Sequence, residues 1–170
     1  QRVFRKDAPP SLWLSCSATL ALLAMFSIGI RFSIPEPQSL TISLGFMYGT
    51  NLLTSVFSGG VWHQAQTLGF DLAVFSLWIL SLPPRKSKIP RGLAYLFIAM
   101  AVGCRPFYLV MFPAFGILDF HLSKRNSKKI WKDSLLFGGP YLLILAVHNF
   151  LRFENPLEFG HRYLSQALTI

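Results

Sequence analysis

The chain has 170 residues, of which 52% are apolar and only 14% charged, with a mean hydropathy of +0.46. Soluble domains carry about 25% charged residues, so this composition reads as an integral membrane protein and not as a water-soluble domain. The formal charge of +9 would point to nucleic acid in a soluble protein, but the basic residues sit in short connectors between apolar runs, the positive-inside pattern, so no nucleic-acid partner is expected.

The chain begins with Gln and ends on the apolar "LSQALTI", and it is taken as a piece of a longer protein. A basic start followed by an apolar run imitates a signal peptide. The run from Leu12 to Ile30 is longer than the usual h-region, however, and no small-x-small cleavage site follows it.

Five apolar blocks follow in order, at residues 11–30, 40–58, 62–82, 92–122 and 134–151. All but the fourth have the ~20 residues that cross a bilayer core. In 40–58, Thr41, Tyr48, Asn51, Ser55 and Ser58 recur on one helical face, and Gly45 and Gly49 form a small-xxx-small pair for helix contact. In 62–82, Gln64, Thr67, Asp71 and Trp78 share a face. Such faces usually make interhelical hydrogen bonds, whereas an intramembrane carboxylate such as Asp71 lines a cavity or meets a partner. Arg105 is the candidate partner for Asp71. Trp62 reads as an interfacial anchor and His63 as a residue of the turn "SGGVWHQ".

The fourth block contains "AVGCRPFYLVMFP", residues 101–113, with Arg105 inside an apolar run and Pro106 directly after it. Proline disfavours helical geometry in the residue before it and suits the first turn of a new helix. The pattern predicts two short helices, 93–104 and 106–122, forming a hairpin that enters and returns on one side. The flanking connectors 83–91 and 119–133 are both basic and both expected in the cytoplasm, which a single crossing would forbid. The last block then runs outward and leaves 152–170 on the outer face. For the first two blocks, two arrangements fit. Either 11–30 runs inward and 40–58 outward, or 11–30 runs outward and 40–58 dips without crossing. Both keep residues 58–64, the Arg105 turn and 152–164 on the outer side.

The outer segment "HNFLRFENPLEFGHRYL" interleaves Arg152, Glu154, Glu158, His161 and Arg162 with aromatic residues, and Asn155-Pro156 signals a turn. This mixture suits an interfacial segment or the wall of a sugar- or phosphate-binding cleft. Glu158 and His161 stand at i, i+3, but no third metal ligand accompanies them, so no metal or other cofactor is assigned. Cys16 and Cys104 are far apart and read as packing residues.

Three stretches in order resemble one family. "GLAYLFIAMAVGCRPFYLVMFPAFGIL", "SGGVWHQAQTLGFDLAVF" and "NFLRFENPLEFGHRYL" look like the RP hairpin, an outer turn with its following span, and a post-span segment of bacterial GT-C membrane glycosyltransferases, the group of protein O-mannosyltransferases and aminoarabinose transferases. The resemblance covers roughly residues 40–165 and implies an all-α, polytopic transmembrane bundle in the plasma membrane, here incomplete. It implies transfer of a sugar from a polyprenyl-phosphate donor to an acceptor on the outer face. Arg105 would then meet the donor phosphate, with His63, Gln64, Arg152, Glu158 and His161 lining the cleft and Asp71 and Asn51 as structural polar residues. The resemblance also favours the arrangement in which 40–58 crosses outward. The catalytic acid of that family lies in a long outer loop upstream of such a region, which this chain lacks, so no base is assigned. Two other readings stand beside it: a secondary transporter or lipid-linked-sugar flippase, since broken helices beside charges also mark transport sites, and a non-catalytic membrane scaffold.

Overall fold

The computed structural model describes residues 10–49, 61–83 and 90–157. The regular elements among them are all helical. They are α1 (Pro10–Arg31), α2 (Glu36–Gly49), α3 (Val61–Ser81), α4 (Gly92–Cys104), a 3-10 turn (Pro106–Val110) and α5 (Met111–Ser123). A last continuous helix follows, made of α6 (Ser127–Asp133), a π-helical turn (Ser134–Gly138) and α7 (Gly139–Phe153).

Three helical stretches are long and apolar enough to cross a membrane: Leu12–Arg31, Pro106–Ser123 and Ser127–Phe153. The last is longer than the block 134–151 expected from the sequence, because its first two turns carry the basic residues of the connector. Helix α3, expected as a span over 62–82, is not among the three. Its 21 residues give the length, about 31 Å, but His63, Gln64, Gln66, Thr67 and Asp71 make its first half polar. It lies at the centre, covered by α1 on one side and α4 on the other, with Leu72, Val74, Ile79 and Leu80 in the core.

Helix α1 presents a stripe of Leu14, Ala18, Ala21, Ala24 and Ile28, all buried. These side chains are mostly small, so the backbones of α1 and α3 can come close. The opposite face, with Leu20, Leu23 and Ile30, is exposed. Ser17 donates to Asp71, Trp78 Nε1 to Ser27 Oγ at 3.3 Å, and Arg31 Nη1 to Ser81 Oγ at 3.4 Å. These pairs rise together along both helices, so α1 and α3 run in the same direction. The first of the two arrangements above has this parallel course; whether 40–58 crosses lies outside the described residues.

The turn after α1 places Ser33 in the left-handed region, and the Ile34 N–H reaches back to the Gly29 carbonyl at 3.0 Å, a helix-ending motif that reverses the chain. Helix α2 then packs back through Ser39 and Ser43, both buried, with the Ser39 hydroxyl on the Phe26 carbonyl at 2.9 Å. Ser39 lies where a Cβ on Gly29 would have to go. This contact uses residues other than those of the expected face. Thr41 turns its hydroxyl to its own helix at Pro37, Tyr48 is exposed, and Gly45 and Gly49 face open space. Asn51, Ser55 and Ser58 lie outside the described residues.

Helix α4 stops at Cys104, and Arg105 is extended, with φ −149° and ψ 121°, the geometry that a following proline imposes. The chain resumes as a 3-10 turn and becomes α-helical only at Met111, later than the expected start at residue 106. Tyr108 folds back onto α3 at Gly69, where an added Cβ would stand 2.9 Å from its ring. Helix α5 then returns antiparallel to α4, bringing Asp119 to Arg91 and Tyr95. The π-helical turn and α7 run beside α4 in the same direction as α4, with Phe137 over Gly92 and the Tyr141 hydroxyl over Gly103. The π-helical turn precedes Pro140, which has no N–H for the Leu136 carbonyl and whose ring crowds it; a widened turn relieves both faults.

Candidate functional site

Two polar centres lie at opposite ends of the bundle. The first surrounds the break between α4 and the 3-10 turn. Arg105 Nη2 donates to the Trp62 carbonyl at 2.9 Å, and the guanidinium carbon stands 5.0 Å from the centre of the Trp62 ring. A hydrogen bond and a cation–π contact thus hold the side chain at the start of α3. No described carboxylate pairs with it. A guanidinium has five N–H donors in a planar fork, so donors remain for an anion. Trp62, expected as an anchor, is therefore also the support for Arg105.

A polar stripe leads away from this point along α3. His63 Nδ1, Thr67 Oγ1 and Asp71 Oδ1 are buried and make no hydrogen bond among the described residues. Their spacing of i, i+4, i+8 puts them on one face of the helix. Thr67 and Asp71 are 0% exposed, and an unsatisfied polar atom in such a place costs on the order of 1–3 kcal/mol. The other carboxylate oxygen of Asp71 accepts from Ser17. The expected Asp71–Arg105 pair does not form: one residue turns to α1 and the other to Trp62.

The remaining expected residues are spread out. Gln64 is half-buried beside His63. Arg152 is exposed at the end of α7, its guanidinium 5.1 Å from the Phe153 ring. Asn149 is buried and donates to the Pro156 carbonyl at 3.4 Å, which folds the end of α7 back on itself. Glu158 and His161 lie outside the described residues. Among the described residues no three His, Cys, Asp or Glu side chains gather as a metal site. Cys104 is half-buried against Gly69, whereas Cys16, expected to pack, is exposed.

The second centre was missed from the sequence. Asp119, 0% exposed, accepts from Arg91 Nε at 2.8 Å and from the Tyr95 hydroxyl at 3.1 Å, and lies 3.7 Å from Arg125 Nη1. Arg91 also donates to the Leu82 and Leu80 carbonyls at 2.9 and 2.7 Å, which closes the end of α3. Arg125 Nη2 reaches Asp133 at 2.6 Å. Two arginines face two carboxylates, so the charges balance, and only Arg125 Nη1 is left without a hydrogen bond among the described residues; this centre is a structural clasp that joins α3, α4, α5 and α6. The signal for it was present in Arg91 and Tyr95 at i, i+4 and in a lone carboxylate near the end of an apolar helix. Counting Arg91 as a solvated connector charge concealed it.

No protein-family model, curated protein or solved structure matches the chain.

Proposed function

We propose that the chain is part of an integral membrane glycosyltransferase that moves a sugar from a polyprenyl-phosphate donor to an acceptor at the end of the bundle holding Arg105. The three apolar helices and the gathering of basic residues at the opposite end support a plasma-membrane placement with the basic end in the cytoplasm. The observation that carries the reading is Arg105. It sits at a helix break, fixed by Trp62, with no described carboxylate to neutralise it.

In such a transfer the acceptor oxygen bonds to the sugar's anomeric carbon while the bond from that carbon to the phosphate oxygen breaks. The acceptor proton goes to a general base supplied by the longer protein. Negative charge builds on the departing lipid phosphate. Arg105 is placed to neutralise that charge with paired N–H donors. His63 and Gln64, in the first turn of α3 beside Trp62, and Arg152, at the end of α7, are further candidates for donor binding.

Losing one preorganised charge-stabilising group lowers kcat by on the order of 10²–10³. Arg105→Gln in the full-length protein should therefore lower transfer from a polyprenyl-phosphate sugar by roughly 10²-fold, with an unchanged unfolding transition. Arg105→Lys, which keeps the charge and loses the fork, should fall between. Unchanged turnover and donor affinity in Arg105→Gln would remove the phosphate role.

A second reading, secondary transport, draws on the unpaired stripe of His63, Thr67 and Asp71, which leads from the Arg105 end into the bundle. It predicts substrate uptake that survives Arg105→Gln and fails in Asp71→Asn.

A further inference from the structure

At the basic end, a groove opens on the surface of the bundle between α5 and the last helix. One part holds about 680 Å³, with Phe112, Ile117, Phe120, Ile130 and Trp131 among its walls. A second part of about 690 Å³ continues past Ser127 and Trp131 to Lys128, Lys132, Leu135 and Leu136. The walls are apolar, and Ile117, Phe120, Leu135, Leu136 and Trp131, the last at 67%, are exposed. Gly116 keeps the first part open, since a Cβ there would meet nothing within 4 Å.

The rim is positive because its carboxylates are already used. Asp119 is bound to Arg91 and Asp133 to Arg125, so neither balances the lysines. Lys128 and Lys132, one helical turn apart on the wall of the groove, have no described carboxylate partner, nor do Lys124 and Lys129 beside them. An amphipathic indole among lysines belongs at the boundary between headgroups and acyl chains. The apolar walls then face the acyl region and the lysines face the phosphates.

We propose that this groove holds an anionic phospholipid of the surrounding leaflet, an acyl chain against Ile117 and Phe120 and the phosphate between Lys128 and Lys132. The proposal rests on the membrane placement and not on sugar transfer. Apolar contact does not distinguish this groove from bulk lipid, because lipid tails are as apolar as the walls. Selectivity therefore comes from the headgroup charge.

The test uses the full-length protein purified in detergent and native mass spectrometry with phosphatidylglycerol and phosphatidylcholine as probes. The phosphatidylglycerol adduct should persist at collision energies that strip phosphatidylcholine. The double variant Lys128→Gln/Lys132→Gln should weaken it roughly 25-fold, from about 1 kcal/mol for each lysine near a headgroup. Gly116→Phe fills the groove while leaving both lysines, and should weaken it too. Brominated phosphatidylglycerol should quench tryptophan fluorescence more than brominated phosphatidylcholine, and Trp131→Phe should remove that excess. Equal retention of the two lipids, an adduct unchanged in both variants, or excess quenching that survives Trp131→Phe would each overturn the proposal. Arg105→Gln leaves this binding intact, so failure of the lipid site and failure of the transferase reading are separable.

Discussion

Arg91 touches two helices at once: it neutralises Asp119 on α5 and accepts the task of satisfying the last carbonyls of α3. Removing one member of such a buried pair strands the other and costs about 3–5 kcal/mol, whereas an apolar replacement of both is often neutral. Asp119→Ala should therefore lower the unfolding midpoint of the detergent-solubilised protein sharply, and Asp119→Leu/Arg91→Met should recover most of the loss. Equal losses in the single and double variants would show that the pair itself carries little. Thr67 gives the opposite expectation. Its hydroxyl is fully buried and has no partner among the described residues, so Thr67→Val should stabilise by about 1 kcal/mol. A lower midpoint would mean that the hydroxyl has a partner in the intact protein. At this scale the sequence disclosed which residues were unusual but not whom they meet. Asp71 stood out as an intramembrane carboxylate, yet its partner is Ser17, since the parallel course of α1 and α3 brings these two level.

Among the elements, the break at Arg105 was legible because a proline constrains the residue before it whatever surrounds them. The face of α2 was not. Of the five polar residues expected on one face, Asn51, Ser55 and Ser58 lie outside the described residues; within Glu36–Gly49 the helix packs on α1 through Ser39 and Ser43, where Gly29 leaves room for the Ser39 side chain. Which of two polar faces is buried depends on where the partner helix is small. Overpacking such a contact costs about 1–3 kcal/mol, and Gly29→Leu should destabilise by at least that in thermal unfolding, while Gly45→Leu should not. Equal effects would place the contact elsewhere on α2. The 3-10 turn and the π-helical turn were likewise hidden. Both adjust the backbone next to a proline, and the sequence marks the proline but not the form of the adjustment.

For the whole molecule, charge counting over connectors led to the expectation of a return of the chain after Arg105; α5 runs antiparallel to α4, with Asp119 beside Arg91. It left open the direction of the first helix, which the basic residues near the start and the length of the second block argued in opposite senses. The contacts of Ser17, Ser27 and Arg31 with α3 give its direction relative to α3, which is parallel. With Cys16 and Cys104 replaced by Ser, single substitutions Ser33→Cys and Lys128→Cys should react with an impermeant maleimide from the same side of sealed vesicles, and Trp62→Cys from the other. Labelling of positions 33 and 128 from opposite sides would contradict the bundle. The central functional claim is that lipid phosphate is held where Arg105 meets Trp62. Its most direct test is photo-crosslinking of the full-length protein with a diazirine-bearing polyprenyl phosphate, followed by peptide mapping. The account predicts labelling of the peptides around residues 62–64 and 105–108, competed by unlabelled polyprenyl phosphate and reduced in Arg105→Gln. Competed labelling that avoids both peptides and is indifferent to Arg105→Gln would contradict it.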